Sequence, residues 1–550
     1  MQQSCQLTNR NGRVERVGDL HGGAIRRPIF KSDSPMQYPR LMFALNSANV
    51  QHAGESRRSN GFPSARTGAC TTSASIRSIE RMSALTTVQR IGRFAYDARP
   101  DHLSPQSRTV FRRNILDSLG CAIAALPGVP FKALREQFDE YRGTGSCTLI
   151  GGGKTSPDQA ALYNSGLVRY VDLLDSYMSP GGLCHPSDNF GTVLAAAEHA
   201  QASGEAFMLA LAVAYEIQSR ITAIVPVMAK GFNHAIQLAL SAAAGSGKLF
   251  GLDAQQIAHA IAIATVDNIS LTCVHSEPVS QWKGFSPGIT GMRAVYSASL
   301  AKRGFTGPLR LFEGPNGLVR MFDQPIDVDW DDPRLDVIHK TVMKKYCSLI
   351  HGQPVLEATL ELKRKNGIHA EDIDEVTCDI FQTGFDIAGG GAFGPKDEPQ
   401  TKEQADYNLK YLIAAALLDD QVGPPQLEPE RVQANDAQAL LKKVHVRPDA
   451  AFTSRYPHAL NTRVTIRCKN GRVVSKEHVG FEGGLENPLT WERTVEKFHW
   501  LSEQYADASL RKEIIELVST LENHSVAELM QLMTRVSPVP RFPAEHPGIQ

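Results

Sequence analysis

The hydrophobic period of this chain changes twice, and that limits its architecture more than any single motif. From about residue 84 to 340 the chain reads as helix after helix. Asp253-Ala254-Gln255-Gln256 has the Asp-x-x-Gln form of a capping box, and Ile257, Ile261 and Ala264 continue one apolar face. Asn233 precedes His234 and an Ala/Leu-rich run that stops near Gly251, which reads as cap, helix and stop. Ala242, Ala243, Ala244, Gly245 and Gly247 are small enough for helices to approach closely. Near 341 the period drops to two. Val376, Cys378 and Ile380 alternate with polar residues, and strand-like runs at 464–468 and 472–475 flank Lys469-Asn470-Gly471. Asn and Gly both tolerate positive φ, so this is a hairpin signal. Helices are also predicted here, over 354–365 and 406–418. After Pro488 the helical period returns, at 491–504, 510–521 and 526–533. The expected fold is mainly α: a large helical-bundle domain (84–340 plus 487–540) with an inserted smaller α+β domain (341–486).

Residues 1–83 belong to neither part. The first 81 hold eleven Arg and one Lys against five acids, with no sustained apolar period. They are expected to be a disordered or targeting extension. The expected location is cytoplasmic, or the mitochondrial matrix if 1–81 are a transit peptide. Fifty-eight acids balance 58 bases over 550 residues, which gives no reason to expect a nucleic-acid partner. No apolar run approaches the ~18 residues of a membrane span. The longest, Phe207 to Ile217, is interrupted by Tyr215 and Glu216 and reads as a buried helix. Nine dispersed cysteines without C-x-x-C spacing argue against a zinc ribbon or a local iron–sulfur motif. Their odd number suits a reducing compartment.

The candidate chemistry starts at His185-Pro186-Ser187-Asp188-Asn189. This stretch follows Asp172-Leu173-Leu174-Asp175 by ten residues and opens an Ala-rich helix. It puts carboxylates and an imidazole at one helix entrance. His234 falls in a helical first turn, where exposed backbone N–H groups disfavour imidazolium. Lys283, in Gln281-Trp282-Lys283-Gly284, lies between a loop and a helix predicted over Ile289 to Lys302, with its stem beside the indole. His351 precedes Gly352 at the join of the two parts, where clefts form. Asp172, Asp175 and His185 are suitable ligand types, but no compact metal motif is present, so no metal is expected. Gly151-Gly152-Gly153-Lys154-Thr155 lacks the first glycine of a phosphate loop, since Thr148 stands there. The set points to a small anionic substrate and proton transfer.

Seven segments together resemble the MmgE/PrpD family: VDLLDSY at 171–177, HPSDNFG at 185–191, YEIQSR at 215–220, KGFNHA at 230–235, QWKG at 281–284, KKYCSLIHGQPVLEA at 344–358 and ADYNLKYLIAAALLD at 405–419. The resemblance covers about 117–489. Carried over by position, it implies a site of Asp172, Ser176, His185, His234, Lys283, His351 and Tyr411, with Ser176 and Tyr411 binding substrate and Lys283 doing both. It implies a helical domain with an α+β lid, a homodimer, and no metal or organic cofactor. The HPSDN block is closer to the dehydratase branch; the decarboxylases have a second His upstream where Met178-Ser179-Pro180 stands here.

The expected activity is that of a lyase dehydrating a hydroxy tricarboxylate, 2-methylcitrate to 2-methyl-cis-aconitate in type, by metal-free acid/base catalysis. The alternatives are cis-aconitate decarboxylation and dicarboxylate epimerisation or isomerisation. A protonated His185 or His351 is expected to release the hydroxyl, with Asp172 or His234 as the base. The expected partner is a small di- or tricarboxylate, with neither nucleic acid nor membrane.

Overall fold

The computed structural model describes residues 85–141 and 145–545, together with residue 548. The expected N-terminal extension, with Cys5 and Cys70, lies outside the described residues. Helices α1 (Thr87–Asp97) and α2 (Pro105–Ala124) open the fold. Hydroxyl caps start both: Thr86 accepts from the Gln89 amide and Ser104 from the Ser107 amide. Helix α3 (Val129–Glu140) leads to a short antiparallel ribbon, β1 (Cys147–Thr148) and β2 (Lys154–Thr155). The three glycines of its turn all have positive φ. Arg135 clasps that turn, donating to the carbonyls of Gly152 at 2.6 Å and Ile150 at 2.9 Å. The glycine run serves a tight reversal.

The fold is mainly α. Its core is built from α4 (Pro157–Tyr170), α5 (Phe190–His199), α6 (Gly204–Ile224), α7 (Ala235–Leu249), α8 (Ala254–Val266) and α9 (Trp282–Lys302). The Asp253/Gln256 capping box starts α8. Helices α4 and α9 pack closely along each other. A Cβ at Gly288 would sit 2.7 Å from the Leu162 carbonyl oxygen, so the two backbones meet only over a glycine. Gly245 of α7 likewise faces Ala210 of α6, where a Cβ would lie 3.1 Å from the carbonyl oxygen. Among the described residues, α6 is the one unbroken helix long and apolar enough to cross a membrane, but 83% of that stretch is buried inside the fold.

Helix α9 starts at Trp282, not Ile289, and carries Pro287 inside it. An interior proline removes a helical hydrogen bond, which is why the predicted start lay beyond it. Burial overrides that cost: Phe285 packs on Phe131 with the rings tilted at 46° and their centroids 5.2 Å apart. Lys283 therefore stands in the first turn of a helix, buried, while Trp282 beside it is half-exposed.

A three-stranded sheet, ordered β4-β3-β5, ties the halves of the sequence together: β3 (Ser176–Ser179), β4 (Gly182–Cys184) and β5 (Thr341–Val342). Beyond it come α10 (Gln353–Asn366), β6 (Ile373–Ile380), α11 (Leu409–Asp419), β7 (Val444–Pro448), β8 (Thr462–Cys468) and β9 (Val473–His478). The four-stranded sheet is ordered β7-β6-β8-β9, with β6 and β7 parallel and the other pairs antiparallel. Val376, Cys378 and Ile380 are buried on one face. The β8–β9 hairpin turns at Asn470-Gly471, with Gly471 at φ 85°.

The chain then returns to the helical core through α12 (Trp491–Ser502), α13 (Ala508–Ser519) and α14 (Val526–Arg535). Phe498 and Leu501 of α12 lie against Gly120 of α2. The Val526 amide donates to the Ala202 carbonyl at 3.0 Å, just ahead of α6. The helical core is thus assembled from two distant stretches, and the described residues form one compact unit. Phe498→Ala should lower unfolding free energy by about 3–5 kcal/mol, because Gly120 opposite it leaves nothing to refill the cavity. Chemical denaturation of the variant measures this; a loss under about 1 kcal/mol would show that α12 docks loosely.

Candidate active site

Helix α4 ends at Tyr170, and the chain reverses through Val171 and Asp172, the latter left-handed at φ 50°. Aspartate visits this region more readily than most residues, at some cost. Three residues on, Asp175 organises the next turn. Its carboxylate accepts from the Ser187 amide at 3.0 Å, the Ser187 hydroxyl at 2.6 Å, the Tyr215 hydroxyl at 3.0 Å and the Asn114 amide at 3.1 Å. Burial pushes this carboxyl up to about 6, against those hydrogen bonds. The β3–β4 hairpin then folds His185 back. Its Nδ1 lies 2.8 Å from the Asp175 carbonyl oxygen and 3.0 Å from the Ser176 hydroxyl. A carbonyl only accepts, so Nδ1 carries the proton and the neutral ring keeps its lone pair on Nε2. Burial, with Arg169 and Lys344 close by, holds His185 well below the usual imidazole range.

Behind this turn runs a fully buried ion network. Asp172 pairs with Arg169, with Lys344 at 2.8 Å and with Lys283 at 3.4 Å. Lys283 also meets Asp406 at 2.6 Å, and Asp406 meets Lys402 at 2.8 Å. Burial would raise the Asp172 carboxyl, but Arg169, Lys344 and Lys283 outweigh it and hold the group well below the carboxylate range. Burial brings Lys283 down to about 8, with Asp406 and Asp172 opposing. It also lowers Lys344, with Asp172 opposing.

The network borders a cavity of about 170 Å³. His185, His234, His275 and His351 line it, with Lys344 and Tyr407. This is smaller than the ~300–1,000 Å³ of drug-sized sites, and suits a compact ligand. His185 and His234 meet edge to face, with ring centroids 5.1 Å apart. His234 Nε2 lies 3.1 Å from the Asp188 carboxylate and donates to it. Burial lowers His275 well below its ordinary value, helped by His234 and Lys283. Burial takes His351 down to about 3, with Lys344 adding to it. His351 Nε2 lies 3.3 Å from the Tyr456 hydroxyl. The other walls are apolar, among them Leu183, Met228 and Ile387.

Of the residues singled out from sequence, His185, His234 and His351 line the cavity. Ser176 sits behind His185, holding its Nδ1 side. Asp172 and Lys283 lie one layer deeper. Asp172 does not suit the role of base, because three cations occupy its carboxylate. Nor do His185 and His351 suit the role of a protonated acid, since burial disfavours imidazolium at both. The Lys283 ammonium faces the Tyr407 ring at 3.8 Å, not an indole. Tyr411 lies elsewhere: it is fully buried in α11 and its hydroxyl donates to the Gln426 carbonyl. Tyr407, just before the cap of α11, takes the cavity position instead. Lys344, His275, Tyr407 and Tyr456 were not singled out. Lys344 and Tyr407 stood inside quoted segments; His275 and Tyr456 carried no periodic signal. Among the described residues, no three His, Cys, Asp or Glu side chains are grouped to hold a metal ion. The seven described cysteines are all free, six of them buried.

Residues 89–331 match the MmgE/PrpD N-terminal domain and residues 346–523 the MmgE/PrpD C-terminal domain. The chain is 26% identical over 380 residues to the 2-methylcitrate dehydratase of Escherichia coli (strain K12), covering 65% of this chain and 77% of that protein. It is 25% identical over 458 residues to the cis-aconitate decarboxylase-like protein oryM of Aspergillus oryzae, covering 76% and 91%. It is 25% identical over 442 residues to the alkylcitrate dehydratase phiI of a fungal species, covering 71% and 83%.

Two outcomes follow from the electrostatics. Asp172→Ala strands three buried cations and should lower unfolding free energy by about 3–5 kcal/mol in a denaturant titration; unchanged stability would mean that water reaches the network. The unfolded chain protonates His351 below about pH 6.5, whereas the folded chain resists until about 3. Stability from this group is therefore present above pH 6.5 and is lost as pH falls toward 3. His351→Gln should flatten the acid limb of stability against pH by about one proton, or ~1.4 kcal/mol per pH unit; an identical limb would contradict the burial argument.

Proposed function

The chain belongs to the MmgE/PrpD family, and from that premise we propose that it is a lyase dehydrating a hydroxy tricarboxylate of the 2-methylcitrate class. One observation carries the reading: His185, with its Nε2 unprotonated, lines a cavity of about 170 Å³ together with Lys344 of the Asp172 network. The proton to be removed lies beside a carboxylate and is weakly acidic. His185 Nε2 takes it, and Lys344 neutralises the charge that builds on the neighbouring carboxylate. His234 acts as the acid from its doubly protonated form: Asp188 keeps the Nε2–H, and the Nδ1 proton goes to the departing hydroxyl. Its bond to Asp188 fixes the orientation of the ring. The C–H and C–O bonds break, the C=C bond forms, and the hydroxyl leaves as water. Every step is carried by a side chain of this chain. The apolar wall of the cavity suits an alkyl substituent on the acid, in keeping with the two dehydratases above.

Chelator-treated protein should convert 2-methylcitrate to a product with the ultraviolet absorbance of a conjugated double bond. Citrate and cis-aconitate serve as comparisons. Carbon dioxide release from cis-aconitate, without that absorbance from 2-methylcitrate, would replace this reading with a decarboxylase. Solvent deuterium uptake by a dicarboxylate without unsaturated product would replace it with an epimerase. His185→Ala and Lys344→Met should each cut turnover by about 10²–10⁴-fold with the circular dichroism spectrum unchanged. Near-normal turnover in His185→Ala would overturn the assignment of the base.

A further inference from the structure

A side-chain-to-backbone bond just ahead of α7 sets the chemistry of a second ring in the cavity. At the start of α7, Asn233 Oδ1 accepts the Ala235 amide proton at 3.0 Å. That bond orients the side-chain amide, so its NH₂ faces His275 Nε2 at 3.4 Å. An amide NH₂ only donates, so Nε2 accepts and the neutral His275 carries its proton on Nδ1. That Nδ1 has no hydrogen-bond partner among the described residues, although His275 is only 4% exposed. The ring lines the cavity and is held in plane by Tyr407, stacked on it at 5.2 Å and 29°. Buried donors are rarely left unmatched in native proteins, and a ligand oxygen is the natural match.

We propose that His275 is a substrate-binding residue whose Nδ1–H donates to a carboxylate oxygen of the bound acid, and that Asn233 is the positioning residue that keeps the proton on that nitrogen. This rests on the tricarboxylate reading above. It adds a neutral donor to the cavity that His185 also lines. The two imidazoles thereby acquire opposite roles from opposite anchors: a backbone carbonyl for His185 and a side-chain amide for His275.

The test uses full-length protein with ¹⁵N-labelled histidine and tricarballylate, a tricarboxylate without the hydroxyl to eliminate. Ring ¹⁵N correlations should show His275 as the Nδ1–H tautomer, and Asn233→Ser should bring in Nε2–H signal. By calorimetry, His275→Phe, which keeps the stack on Tyr407, should weaken tricarballylate binding by about tenfold or more, the range of a hydrogen bond to a charged group. His275→Asn, whose amide reaches the Nδ1 position, should restore binding to within a few-fold. An Nε2–H pattern in the wild-type protein, or a His275→Phe affinity equal to wild type, would overturn the assignment of His275. Pure Nδ1–H in Asn233→Ser would overturn the role of Asn233. A wild-type protein that ignores tricarballylate contradicts the tricarboxylate reading, and this inference with it.

Discussion

The Asp172 carboxylate is the interaction on which the site depends. Arg169 reaches it from the last turn of α4, Lys283 from the first turn of α9 and Lys344 from just beyond β5. None of these charges is tolerable alone in a dry interior, so the three segments are satisfied only together. Such a network adds little net stability compared with an apolar core of the same shape. What it supplies is position. Lys344 is held by both the carboxylate and the main-chain carbonyl of Asp172, at 2.8 and 3.1 Å, which fixes its ammonium. The left-handed backbone at Asp172, typically costing about 1–3 kcal/mol, is the local concession that lets one carboxylate face three cations.

Hydrogen bonding finishes what charge begins. Asp175 spends its carboxylate on Ser187, Tyr215 and Asn114, which fixes the turn after His185; its carbonyl then selects the tautomer of His185 itself. A similar economy appears at α7, where Asn233 faces His275. Burial keeps His185 and His275 neutral, so they act through lone pairs and N–H groups, and Lys344 joins the cavity lining while paired with Asp172.

Most secondary structure was legible because periodicity reports burial. The capping box at Asp253, the alternation along β6 and the Asn470-Gly471 turn all behave as local chemistry dictates. The helices after Pro488 were legible too, from the recovered helical period. The start of α9 was not: local propensity stops at Pro287, and only the packing of Phe285 against Phe131 carries the helix past it. At the site, three of the histidines stood beside caps or glycines and could be found. His275 lies in a short irregular turn, and nothing in its neighbours marks it. Lys344 and Lys345 are adjacent, and sequence cannot tell which one turns to Asp172 and which to Glu482. Tyr407 and Tyr411 are separated by the cap of α11, so one faces the cavity while the other is buried in the helix. Side-chain direction in loops is decided by long-range pairing, which a single sequence does not carry.

The central claim is that His185 Nε2 moves the proton on carbon. Running the reaction backwards in deuterium oxide tests it most directly. Hydration of 2-methyl-cis-aconitate by the wild-type protein should place one solvent deuterium on carbon, followed by proton NMR. His185→Gln should bind tricarballylate within a few-fold of wild type yet place deuterium on carbon at least about a hundredfold more slowly. Deuterium incorporation at the wild-type rate in that variant would contradict the account.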